Sequence, residues 1–118
     1  AGEAAHGGTI YVTLEPCAHK SERGPACADL VSQSGLARVV IGCMDPDPRT
    51  SGAGIARIRA AGIAAEYLPS TACEQSLSGY LTTKRLGRPE VTLKLALSLD
   101  GCIALASGGK TPLLHKCE

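Results

Sequence analysis

The chain is predicted to form an α/β layer with a largely parallel sheet. Three observations say so. Short β-rich runs alternate with helix-spaced runs in the order strand–helix–strand–helix–strand–helix. The middle strand run is continuously apolar, as in a strand covered on both faces. Each run is closed by Gly or Pro, the strongest local breakers of regular structure.

The elements follow in order. "TIYVTLE" (residues 9–15) is β-rich and stops at Pro16, so it reads as a strand. "CADLVSQSG" reads as a short helix closed by Gly35. "ARVVIGCMD" is the continuous apolar strand, and "DPDPRTSG" after it is loop chemistry. "AGIARIRAAG" sets Ile55, Ile58 and Ala61 at helical spacing and stops at Gly62. "IAAEYLP" is another short strand. In "STACEQSLSGYLTTKRLG", Ser70 stands at the capping interval from Cys73 and Glu74, and Leu77 and Leu81 share one helical face. Gly87-Arg88-Pro89 breaks the pattern, and "EVTLKLALSLDG" starts a strand of another style. A boundary near Arg88 therefore divides residues 1–87 from 88–118.

Bulk properties narrow the function classes. The 118 residues suit one small domain or a piece of a larger protein. With 44% hydrophobic and 19% charged residues the chain can build a core. A net charge of +1 gives no basic face for nucleic acid or membrane. The absence of Phe and Trp, with only three Tyr, argues against a base-stacking platform. No apolar run approaches the roughly 18 residues of a membrane-spanning helix, and "AGEAAHGG" lacks the pattern of a secretory signal. A cytoplasmic protein is expected. The six cysteines, at 17, 27, 43, 73, 102 and 117, are scattered unlike a disulfide framework, so reduced thiols are expected.

Cys17 and Cys27 bracket a polar loop. Pro16-Cys17 sits where a strand yields to a turn, and Cys27 sits where a helix begins. A helix N-terminus favours thiolate, and thiolates are strong zinc ligands. Spacing alone leaves two readings open: zinc ligands, or two cysteines buried for packing. The local context is sharper. Zinc deaminases of nucleobases carry H-x-E and then P-C-x-x-C, and "TLEPC" supplies the Pro-Cys half after a strand and before a helix. The longer Cys-to-Cys loop, with a His two residues after the first Cys, separates this chain from nucleoside and tRNA deaminases.

With "YVTLEPCAH…GPAC", "GLARVVIGCMDPDPRTSGAGIARIRAAGI" and "RPEVTLKLALSLDGCIALASG" in that order, the chain resembles the bifunctional riboflavin-biosynthesis deaminase/reductase family. The likeness runs from about Ala1 to Gly108. It implies an incomplete cytidine-deaminase-like three-layer fold over 1–87. It also implies that 88–118 begins a truncated dihydrofolate-reductase-like domain with that domain's first strand. The implied activity is zinc-dependent hydrolytic deamination of a phosphoribosylamino-diaminopyrimidinone, a small-molecule substrate. NADPH-dependent reduction of the ribose follows in the full-length protein.

By this resemblance Cys17 and Cys27 are two of three zinc ligands. His19 lies against the substrate base, unless it is a solvent-facing loop residue. Lys20 and Arg23 meet the ribose phosphate, or are a solvated charge run. Asp45 and Asp47 belong to a substrate-side loop usually written Asp-Pro-Asn-Pro, so Asp47 stands in place of the commoner Asn; Asp45 otherwise caps a turn. Lys94 matches a substrate position and Ala96 a position near NADPH, whereas the plain reading of Leu93, Leu95, Leu97 and Leu99 is a core strand. Glu15 is given a structural role, and Cys102 in place of a commoner Arg has none.

Departures from the family bear on activity. The loop between the two cysteines is one residue longer, which a loop absorbs. The family's His-Ala-Glu, carrying the third zinc ligand and the proton-shuttling Glu, is expected upstream of residue 1. His6, followed by Gly7-Gly8, reads as loop. At the far end "GKTPLLHKCE" diverges from the family. Two thiolates without a third ligand hold zinc weakly, and loss of the Glu removes roughly 10²–10⁴-fold of catalysis. The expectation is that this polypeptide alone is inactive or nearly so. Competing readings are a non-catalytic scaffold of the deaminase fold and a nucleoside or tRNA deaminase. No nucleic-acid or membrane partner is expected, and a homo-oligomer is left open.

Overall fold

The computed structural model describes residues 2–22 and 24–103. Three strands, β1 (Thr9–Val12), β2 (Arg38–Ile41) and β3 (Ala64–Tyr67), form one sheet in the order β1-β2-β3. Both pairings are parallel, with Ile10 opposite Val39 and Val39 opposite Ala65. Parallel neighbours need crossovers, and α1 (Cys27–Ser32) and α2 (Ala53–Ala60) supply them. After β3 come α3 (Thr71–Ser76) and α4 (Ser78–Leu86).

The core lies between the sheet and the two crossover helices. Val39, Ile41 and Ala65 pack with Ala28, Ile55, Ile58 and Ile63, and Ile10, Val12, Val31 and Met44 close the edges. Val40 points to the opposite face and is also buried, so the central strand is covered on both sides. That is why its sequence is apolar without alternation. The edge strand β1 is exposed on that second face, where Tyr11 is 72% accessible.

The helical stretch after residue 70 divides in two. Ser70 caps α3 by accepting the Cys73 N–H at 3.4 Å, the interval the sequence suggested. The Ser76 hydroxyl then donates to the Cys73 carbonyl at 2.8 Å, and Leu77 leaves helical geometry at φ −108° and ψ 9°. A hydroxyl that bonds its own helix backbone in this way loosens the ladder. Past the break, α4 ends at Gly87, whose φ of +66° is left-handed.

The strand expected over 90–101 is not formed. Among the described residues beyond α4, none pairs with another strand, and Leu93, Leu95, Leu97 and Leu99 are all exposed. The period-two pattern is there, but a strand is stabilised by its neighbours' ladder and packing, and none of the described strands lies alongside. A local turn at its end is held by Gly101 N–H donating to the Ser98 carbonyl at 2.9 Å.

Candidate functional site

The site forms where the chain leaves the ends of β1 and β2. Glu15 organises it from below. Its buried carboxylate accepts the N–H groups of Gly52 at 3.0 Å, Gly54 at 3.0 Å and Ile55 at 3.2 Å, and of Asp45 at 3.4 Å. These donors include N–H groups that the first turn of α2 cannot satisfy internally. Glu15 thus caps α2 from another element and ties β1 to two loops, in keeping with the structural role expected for it. Gly54 permits the approach: a Cβ there would collide with the Pro16 carbonyl oxygen.

Directly after Pro16, Cys17 turns toward the start of α1. Its Sγ accepts the Cys27 N–H at 3.2 Å, and its carbonyl accepts the Ala28 N–H at 3.0 Å. The neighbouring Cys17 side chain, with burial second, raises the Cys27 thiol above its ordinary value, against the thiolate expected from the helix N-terminus. Cys27 is exposed and Cys17 only partly buried, so the two are not cysteines hidden for packing.

His19 is no free loop histidine. Its Nδ1 lies 3.3 Å from Thr50 Oγ1, and the Ala18 N–H donates to the same oxygen at 3.4 Å. Thr50 is fully buried, so it anchors the start of the cysteine loop to the approach to α2.

The "DPDP" loop also borders the site, and its two aspartates differ. Asp45 Oδ1 accepts the Asp47 N–H at 2.9 Å and the Tyr80 hydroxyl at 2.7 Å. Burial, then this bond to Asp45, raises the Tyr80 hydroxyl well above its ordinary value, so it stays a donor. Asp47 is saturated by cations. Its Oδ1 accepts the Arg49 N–H and Nε, each at 3.0 Å, and its Oδ2 accepts Arg49 Nη2 at 2.7 Å and Lys84 Nζ at 2.8 Å. Arg49 first, then Lys84, hold this carboxyl far below the ordinary aspartate range. Tyr80 and Lys84 stand one turn apart on α4, so one helix face clamps both aspartates.

Together these residues line a cleft of about 450 Å³, with Leu14, Glu15, Cys17, His19, Cys27, Asp45, Asp47, Arg49, Tyr80 and Lys84 around it. Of the residues singled out from the sequence, Cys17, Cys27, His19, Asp45 and Asp47 meet here. Lys20 is exposed and does not line the cleft. Arg23 lies outside the described residues. Lys94 and Ala96 sit exposed in the unpaired segment, away from the cleft lining. Thr50, Arg49, Tyr80 and Lys84 were not anticipated. The only signal for the last two was their four-residue spacing on a helix, which does not say what they face.

The two thiols fit a soft cation as a pair of ligands by their chemistry and convergence. Among the described residues, no group of three or more His, Cys, Asp or Glu side chains is placed to hold a metal ion. The pair therefore fits as part of a donor set.

No protein-family model matches the chain. Individual proteins do. It is 47% identical over 109 residues to riboflavin biosynthesis protein RibD of Escherichia coli (strain K12), covering 92% of this chain and 29% of that protein. The chain is similar to a segment of RibD. With RibD of Aquifex aeolicus it shares 42% identity over 120 residues, covering 98% of this chain and 33% of the relative. Among solved structures, Acinetobacter baumannii RibD superposes with a TM-score of 0.78 at 40% identity, over 97% of this chain and 32% of that one. A deaminase/reductase of Thermotoga maritima, described as acting on diaminohydroxyphosphoribosylaminopyrimidine and 5-amino-6-(5-phosphoribosylamino)uracil, gives 0.77 at 37% identity, over 95% and 32%. The chain thus spans about a third of the length of the RibD proteins it matches. Its α/β layer is that of part of their deaminase-like fold.

Proposed function

We infer that this chain carries part of the deaminase site of a bifunctional riboflavin-biosynthesis protein. The observation that carries the reading is Cys17 Sγ accepting the Cys27 N–H at 3.2 Å in a cleft that also gathers His19 and Asp45. The likeness to RibD over nine tenths of the chain supports it. The substrate is a phosphoribosylamino-diaminopyrimidinone, and the reaction is hydrolytic loss of its exocyclic amine. Cys17 and Cys27 hold zinc, which when bound supplies the activated water this hydrolysis needs. His19, its ring steadied by Thr50, lies along the pyrimidine. Asp45 presents Oδ2 to the substrate, because Oδ1 is already spent on Tyr80 and the Asp47 backbone. Asp47 shapes this wall from behind, since its oxygens are filled by Arg49 and Lys84. Lys20 and Arg23 add positive charge to the cysteine loop, a general attraction for an anionic substrate rather than a contact with its phosphate. Lys94 and Ala96 belong to the reductase half, with NADPH, in the whole protein, and the division falls at 87–88. The setting is cytoplasmic; no helix among the described residues is long and apolar enough to cross a membrane.

Cobalt(II) titration tests the metal reading. The wild-type chain should show a sulfur-to-cobalt absorption band that Cys17→Ser and Cys27→Ser each weaken. In a protein carrying this segment below an upstream His-Ala-Glu, Cys17→Ser should abolish ammonia release. A wild-type chain without the band, or full turnover in the variant, would refute the assignment.

A further inference from the structure

We propose that Arg49, held in place by buried Asp47 and flanked by Lys84, is the anion-binding wall of the cleft and receives the phosphate of the substrate. The proposal rests on the functional reading above, in which the substrate carries a ribose phosphate. Nothing in the sequence pattern pointed to Arg49 or Lys84; their positions in the fold do.

The first observation is which cations the cleft holds. The side chains of Arg49 and Lys84 are the lysine and arginine groups lining it among the described residues, and both reach Asp47, at 4% side-chain exposure. Of the other acids lining the cleft, Asp45 gives one oxygen to the Tyr80 hydroxyl and the Asp47 N–H, and Glu15 is met by the N–H groups of Gly52, Gly54 and Ile55.

The second observation is how the guanidinium is spent. Arg49 gives Nε and Nη2 to Asp47 in a two-point fork, and its side chain is nonetheless 60% exposed. A planar guanidinium held along one edge keeps its other donors for a second acceptor, and phosphate matches that geometry. Because the fork is already fixed, less side-chain freedom is lost on binding. Lys84 reaches the same carboxylate from α4, with Nζ 5.9 Å from the Tyr80 ring centroid. Its charge adds to the field at that wall, although its Nζ is partly committed.

The third is placement. Arg49 and Lys84 line the same cleft as Cys17, His19 and Cys27, and Arg49 directly precedes Thr50, which holds His19. An Asp in the loop position where the family usually has Asn then gains a purpose: its charge is what secures two cations at the cleft.

Ribose 5-phosphate is the test probe, with ribose as the uncharged comparison, titrated into the 118-residue chain by calorimetry and by the nitrogen resonance of Arg49 Nε. Ribose 5-phosphate should shift that resonance and ribose should not, and inorganic phosphate should compete. Arg49→Ala should weaken ribose 5-phosphate binding about tenfold and Lys84→Ala by a smaller factor, as expected for loss of charge-assisted hydrogen bonds. Arg49→Gln, which preserves length, serves if the alanine variant fails to fold. Arg57→Ala removes an equal charge outside the cleft, where Arg57 pairs with Asp29, and should change nothing. Unchanged affinity in both Arg49 variants, or an equal loss in Arg57→Ala, overturns the proposal. The probe needs no metal, so failure of the cobalt band would strike the deaminase reading while leaving the anion site measurable by itself.

Discussion

Two apolar, strand-like runs in this chain meet opposite fates. β2 has Val39, Val40 and Ile41 buried between two parallel neighbours. Residues 91–99 offer instead a period-two alternation, yet Leu93 is 78% and Leu95 58% exposed and no strand forms there. The contrast teaches that a sequence pattern offers a face. Whether that face becomes a strand depends on a neighbour to share the ladder and on something to cover it.

The comparison can be broken most sharply in the core. Ile58→Ala, at a fully buried position against β2, should cost about 2–5 kcal/mol in denaturant unfolding. A loss near zero would mean the helix–sheet core does not hold the fold. Next comes Glu15→Ala, which orphans the N–H groups of Gly54 and Ile55 inside the protein. About 3 kcal/mol is expected, the upper range for a stranded buried donor. Unchanged stability would show that water replaces the carboxylate.

The third prediction concerns pH. The folded-state carboxyl of Asp47 lies below the ordinary value of 3.8, so it contributes stability that is fully present above that value and is lost as pH falls toward the folded value. Asp47→Asn lacks this contribution. The gap in Tm between wild type and Asp47→Asn should therefore be widest above about pH 5 and narrow below about pH 4. A gap independent of pH would show that Asp47 acts by shape alone. The smallest effect belongs to the unpaired segment: Leu95→Ala should change stability by less than about 0.5 kcal/mol. A larger loss would mean the segment packs on something.

Much of the fold could be read in advance because short-range rules govern it. Ser70 caps α3 and the unbroken apolar run of β2 marks a covered strand, whereas β1 stops at Val12, three residues short of the end expected from Pro16. The break at Leu77 was not legible, because it depends on how the Ser76 hydroxyl is used. In the site, the cysteine pair, His19 and Asp45 could be picked out by local motif and resemblance. Asp47 was singled out as a substrate-side loop residue, but its partners Arg49 and Lys84 were not foreseen. Tyr80 and Thr50 could not be found from local spacing, since they lie 35 residues from Asp45 and 31 from His19.

By itself the sequence determined the alternation of strands and helices, the parallel order, and the two thiols placed at a strand end and a helix start. These follow from periodicity, breakers and chain chemistry acting over a few residues. Only the tertiary structure decided that Glu15 caps a distant helix, that α4 clamps both aspartates, and that Leu93, Leu95, Leu97 and Leu99 join none of the described strands. Each of these depends on which surfaces meet in space, and contacts between residues far apart along the chain leave no local mark in it.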